Sequence, residues 1–98
     1  MASAREFDSA AAEREAKRME EAASMLRRIS AHTESALETA SRSWKGVHSD
    51  SYRRKGETLR TELQTSERQL LGMAERVREV IREMERLEAE NSRIASSR

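Results

Sequence analysis

The sequence predicts an all-α protein: an antiparallel helix-turn-helix hairpin with a Trp-x-Gly turn, dimerising into a four-helix bundle. Three observations predict it. Apolar residues recur in alternating steps of three and four along both halves of the chain, the signature of a helical seam that no β-strand produces. That periodicity stalls once, at Ser43-Trp44-Lys45-Gly46-Val47, close to the midpoint. The composition is that of long helices lining a narrow seam: 38% charged, 36% hydrophobic, only 3% aromatic and no proline. The 98 residues allow one domain, with helix 1 expected over about residues 9–42, the turn at 43–48, helix 2 over about 49–92 and a frayed tail at 93–98.

In the first helix Asp8 or Ser9 is placed to cap the run that begins Ala10-Ala11-Ala12. The expected seam steps through Met19, Ala22, Leu26, Ile29, Thr33, Ala36 and Ala40, with Met25 and Leu37 widening it. Before Met19 it is poor, because Glu15 stands where an apolar residue is due. The turn holds the only tryptophan, Trp44, followed two residues later by Gly46. Glycine accepts backbone angles that other residues resist, and an indole can plug the end of a hairpin. Ser49 and Asp50 offer caps to the second helix.

The second seam is longer: Tyr52, Gly56, Leu59, Leu63, Ser66, Leu70, Met73, Val77, Val80, Met84, Leu87, Asn91 and Ile94. Beside it Leu71, Ala74 and Ile81 form a partial second stripe. The outward faces carry acid–base pairs at helical spacing: Glu75, Glu79 and Glu83 with Arg78, Arg82 and Arg86, three apart, and Glu13 with Lys17 and Glu38 with Arg42, four apart. Each fully buried large side chain returns about 1.5–3 kcal/mol, against an ordering cost of about 1.5 kcal/mol per residue. A seam with this much Ala, Thr and Ser leaves a lone hairpin near balance. The sequence therefore predicts association with itself or with a related hairpin. Met25, Leu37, Leu71, Ala74 and Ile81 are the candidate dimer interface.

Charge and residue chemistry exclude several function classes. Residues 1–43 hold 7 basic and 8 acidic side chains, and residues 44–98 hold 12 and 10, so neither half has the field of a nucleic-acid or membrane surface. No apolar run approaches the roughly 18 residues of a membrane span, and the N-terminal stretch has no hydrophobic signal core. There is no cysteine. His32 and His48 lie far apart without a third ligand, so no metal is expected, and no other cofactor. Arg53-Arg54-Lys55 is followed by Glu57 and has no stacking aromatic besides Tyr52, so no nucleic-acid partner is expected. No nucleophile–base set stands out, and two amphipathic rods offer no concave pocket, so an enzyme is not expected.

A chain of this length with two helices and a central Trp44-x-Gly46, followed by the aromatic Tyr52 eight positions after the Trp, resembles the WXG (Trp-x-Gly) superfamily. These are the small early-secreted-antigen-like proteins handled by type VII secretion systems of actinobacteria and firmicutes. The resemblance covers nearly the whole chain. It implies a secreted, virulence-associated protein or a cytoplasmic targeting partner. It also implies a recognition role for Trp44, Gly46 and Tyr52. Its partners would be a homodimeric or heterodimeric hairpin mate, a larger toxin or effector, and the secretion ATPase. Family members often carry Tyr-x-x-x-Asp/Glu after the second helix as part of the export signal. Here the only tyrosine is Tyr52, and Tyr52-x-x-x-Gly56 does not fit. The resemblance then implies that a partner chain supplies the signal, or that this protein escorts cargo that has one. The alternative is a structural coiled-coil module with no secretion role.

Overall fold

The computed structural model describes residues 7–43 and 47–97. It contains two helices, α1 (Ser9–Ser41) and α2 (Val47–Ser96), packed along each other as a helical hairpin. The pairing is antiparallel: Arg27 meets Glu67, Glu34 meets Arg60, and the Phe7 backbone N–H donates to Glu88 at 2.8 Å. The result is a rod 80 × 16 × 15 Å. At about 1.5 Å per residue, the 33 residues of α1 run about 50 Å and the 50 residues of α2 about 75 Å. The end of α2 beyond Glu88 therefore runs past the start of α1.

Asp8 caps α1, its carboxylate accepting from the Ala11 backbone N–H at 2.9 Å. The second helix begins at Val47, earlier than expected, which puts Asp50 inside its first turn, where the helix dipole favours an acid. At the other end α2 continues to Ser96, so residues expected to fray are helical. The Ser96 and Ser97 hydroxyls bond back to the carbonyls of Ser92 and Ile94. The proposed turn residues Trp44 and Gly46 lie outside the described residues.

The hairpin seam differs from the expected one in a systematic way. On α1 the buried residues are Ala16, Ala23 and Ser30, each seven after the last, continued by half-buried Leu37. The neighbouring column of Ala12, Met19, Leu26, Thr33 and Ala40 is half-buried, whereas Ala22, Ile29 and Ala36 are exposed. On α2 the inner column is Glu67, Ala74, Ile81 and Glu88, with Ala74 at 1% and Ile81 at 6% exposure. Its middle column is Gly56, Leu63, Leu70, Val77 and Met84, of which Gly56 is buried and the rest half-buried. The outer column, from Tyr52 and Leu59 to Leu87 and Ile94, is exposed.

On α1 the stripe of small and apolar residues is thus three columns wide, and on α2 the third, inner column is apolar only at Ala74 and Ile81. The sequence reading took the middle and outer columns; the hairpin uses the inner and middle ones. The physical reason is side-chain size. Ala16, Ala23 and Ala74 let the two backbones approach closely, so dispersion contacts are gained along the whole seam. Glu15, which seemed to interrupt the seam, lies in the outer column, and Ala16 beside it is fully buried.

Near the bend, Leu37 packs against Gly56. A Cβ built on Gly56 would overlap Leu37 Cδ1 and stand 3.0 Å from Cδ2 and 3.1 Å from Cγ. Gly56 is therefore the hole that receives the Leu37 knob.

Candidate functional site: an open apolar face

The two long sides of the rod are chemically opposite. One flank of the seam carries Glu13, Glu20, Arg27 and Glu34 of α1, seven residues apart, facing Glu67, Arg60 and Arg78 of α2. These groups cross-link the helices. Arg27 Nε donates to Glu67 at 2.9 Å and Arg60 Nη1 to Glu34 at 3.1 Å. Arg78 grips two carboxylates: its Nε donates to Glu13 at 2.9 Å, its Nη2 to Glu20 Oε1 at 3.0 Å, and its Nη1 to Glu20 Oε2. The hydrogen bonds from Arg78, with its charge, hold the Glu20 carboxyl below the usual carboxylate range; those from Glu20 and then Glu13 push the Arg78 guanidinium up. Glu13 reaches across the seam to Arg78 rather than along its own helix to Lys17. Of the intrahelical pairs expected, Glu83–Arg86 and the longer Glu38–Arg42 at 3.7 Å form.

Among the described residues the opposite flank has no ion pair between the two helices. In antiparallel helices the columns on one flank of both seams share one side of the pair. With the ion pairs filling one side, the outer columns meet on the other. There α2 presents Tyr52, Leu59, Met73, Val80, Leu87 and Ile94, all exposed and all in one seven-residue register broken only by Ser66. Across from them α1 presents Ala22, Ile29 and Ala36, with Met25 one turn before Ile29. Val80 is 52% exposed and Met25 55%. A shallow, mainly apolar trough lies along this side, lined by Ala12 and Met19 of α1, Met73, Arg76, Val77 and Val80 of α2, and Phe7. Its floor is the middle column of each helix, so the trough is continuous with the core.

The five candidate interface residues fall in different places. Met25 lies on the open face. Leu71 is at the border of exposure but belongs to the column of Arg78, on the ion-paired side. Ala74 and Ile81 are not available to a second molecule, because the hairpin's own seam buries them. Leu37 is taken up by Gly56. The expected interface is therefore corrected at Ala74 and Ile81, which the hairpin itself buries. The regularly spaced residues of the open face, Tyr52, Leu59, Met73, Val80, Leu87 and Ile94 with Ile29, belong to the expected seam, since such spacing is equally consistent with an inward or an outward column. Tyr52, expected in the core, is 52% exposed, with the Lys55 ammonium 6.0 Å from its ring centre.

Among the described residues no group of His, Cys, Asp and Glu is arranged to hold a metal ion, and no helix is long and apolar enough to cross a membrane. No family model, curated protein or solved structure matches the chain.

Proposed function

We propose that this protein is a docking module that works by laying its open apolar face against another helical hairpin, completing a four-helix bundle. The observation that carries the reading is the exposed outer column of α2, repeated in the outer column of α1 on the same side. Soluble monomers rarely expose a contiguous apolar strip of this length without a partner for it. A stripe three columns wide is what a bundle helix presents, because it packs on two neighbours rather than one.

The resemblance to the WXG superfamily supplies the setting. In that setting the protein is a small type VII secretion-associated protein, exported as a substrate or serving as targeting partner of a larger exported effector.

Two measurements test the two parts. Light scattering at micromolar concentration is expected to give a particle larger than one chain, alone or with a co-expressed hairpin partner; a well-folded monomer under both conditions refutes docking. Replacing Trp44 with a smaller hydrophobe is expected to abolish export of the complex from a chain that still folds. Loss of stability alone, with export of the folded fraction unchanged, leaves a structural coiled-coil module and ends the secretion reading.

A further inference from the structure

The outward face of α2 carries a notch that the hairpin itself does not use. At Gly72 a side chain would meet nothing within 4 Å, so no close approach inside the chain calls for a glycine there. Glycine in a helix interior is unfavourable relative to alanine. Around it lies a shallow hollow lined by Thr65, Arg68, Gln69, Met73 and Arg76. Arg68 stands four residues before the glycine and Arg76 four after, so the two flank it along one helix face. We propose that this notch docks an acidic helix of another protein, which brings an apolar side chain to Gly72 and a carboxylate to each arginine. The notch shares Met73 and Arg76 with the trough of the open face but looks outward from α2. The inference does not rest on the docking reading.

Charge supplies the first argument. Arg68 and Arg76 are exposed, and among the described residues neither makes an ion pair. For Arg68 the helix offers no acid: the positions three and four away are Gln64, Thr65, Leu71 and Gly72. Arg76 has Glu79 three residues on, and the two do not pair. The chain is 38% charged, yet the only acid from Leu63 to Ala74 is Glu67, and Arg27 takes it. The other polar groups of the hollow, the Thr65 hydroxyl and the Gln69 amide, are neutral. Two guanidiniums with all their donors unused are matched by carboxylates, which accept from the planar fork in pairs.

Shape supplies the second. Without a Cβ, Gly72 is a hole, and a knob entering it also meets the flexible side chain of Met73, 41% exposed. Residues four apart on a helix are separated by about 6 Å along its axis. A partner helix lying along α2 with its knob at Gly72 therefore sets the residues four before and four after the knob beside the two arginines, whichever way it runs. The partner's pattern is acid-x-x-x-apolar-x-x-x-acid. This chain holds that pattern once, at Glu67-x-x-x-Leu71-x-x-x-Glu75, and there Glu67 is already bound to Arg27. The occupant is therefore a different protein.

The probe is an alanine-rich helical peptide with one Glu-x-x-x-Leu-x-x-x-Glu run, titrated at low salt and followed by fluorescence anisotropy. It is expected to bind, and the same peptide with both glutamates changed to glutamine should bind about tenfold more weakly. Arg68→Gln and Arg76→Gln should each weaken binding about threefold, and together about tenfold. Gly72→Leu should abolish binding in a chain whose helical signal and melting temperature are not reduced. Val80→Asp, on the open face, should leave peptide binding unchanged. No binding by the parent, equal binding of the glutamine peptide, or full binding by Gly72→Leu overturns the proposal. Loss of binding in Val80→Asp moves the peptide to the open face and overturns it as well. Inorganic phosphate that binds through both arginines, with no binding of the peptide, makes the notch a small-anion site and overturns the helix as occupant.

Discussion

Gly56 and Gly72 show how one residue type acts differently at two places on one helix. A side chain at Gly72 would meet nothing within 4 Å, while one at Gly56 would collide with the head of Leu37. Glycine in a helix interior costs about 1 kcal/mol relative to alanine. Gly72→Ala is therefore expected to stabilise the protein by about 1 kcal/mol in denaturant melts. Gly56→Ala should lose stability in spite of the same propensity gain, because overpacking costs about 1–3 kcal/mol. At Glu20 the effect is one of protonation. Its carboxyl titrates lower in the folded protein than in the unfolded chain, because Arg78 hydrogen-bonds to it. Its contribution is then fully present above the unfolded carboxylate range near pH 4.3 and is lost as pH falls through the folded value. Glu20→Gln should flatten the loss of thermal stability on acidification, and the variant's melting temperature should differ from that of the parent at pH 7 more than at pH 2.

At the scale of the helix, neighbouring positions on α2 have separate jobs. Ile81 is buried against α1 and Val80, the residue before it, is half exposed on the open face. A carboxylate at Ile81 would be buried without a partner, so Ile81→Asp should cost at least about 3 kcal/mol and dissolve most of the helical signal. Val80→Asp should keep the helicity of the hairpin and lose only the association. Equal effects from the two would place both residues in one seam and contradict the column assignment. Helix ends follow the same reasoning. Beyond Glu88 the second helix runs past the start of α1, and Ile94 there is exposed. A chain ending at Glu90 should melt within a few degrees of the parent, whereas trimming α1 from its start should not be tolerated, because Ala12 and Ala16 line the seam.

For the whole molecule, the division of labour between the two sides matters most. The charged side satisfies itself: its ion pairs are made between α1 and α2, and they leave no reason for a second layer there. Such exposed pairs are worth little individually, a few tenths of a kcal/mol to about 1, but they mark which side is finished. The apolar side is unfinished along nearly the whole rod. One open side admits one partner layer, so the expected assembly is a closed pair of hairpins rather than an open array. Native mass should therefore stop at two hairpins as concentration rises; growth to larger species would mean that the charged side also associates.

The sequence by itself determined a great deal. The three-four alternation required two helices, the caps placed the start of the first, and the poverty in large side chains pointed to a thin two-helix seam. It also singled out the regular apolar columns that stand on the open face, though it assigned them to the inside. What only the tertiary structure decided was which two of three adjacent apolar columns face inward. Periodicity reports that columns exist and is blind to a rotation of the helix about its axis. The choice follows from how closely two backbones can approach. Alanine, serine and glycine permit the close approach, so Ala16, Ala23, Ala74 and Gly56 went inside, and the larger Ile29, Met73 and Val80, which dominate any reading of hydrophobicity, were left at the surface for something else to cover.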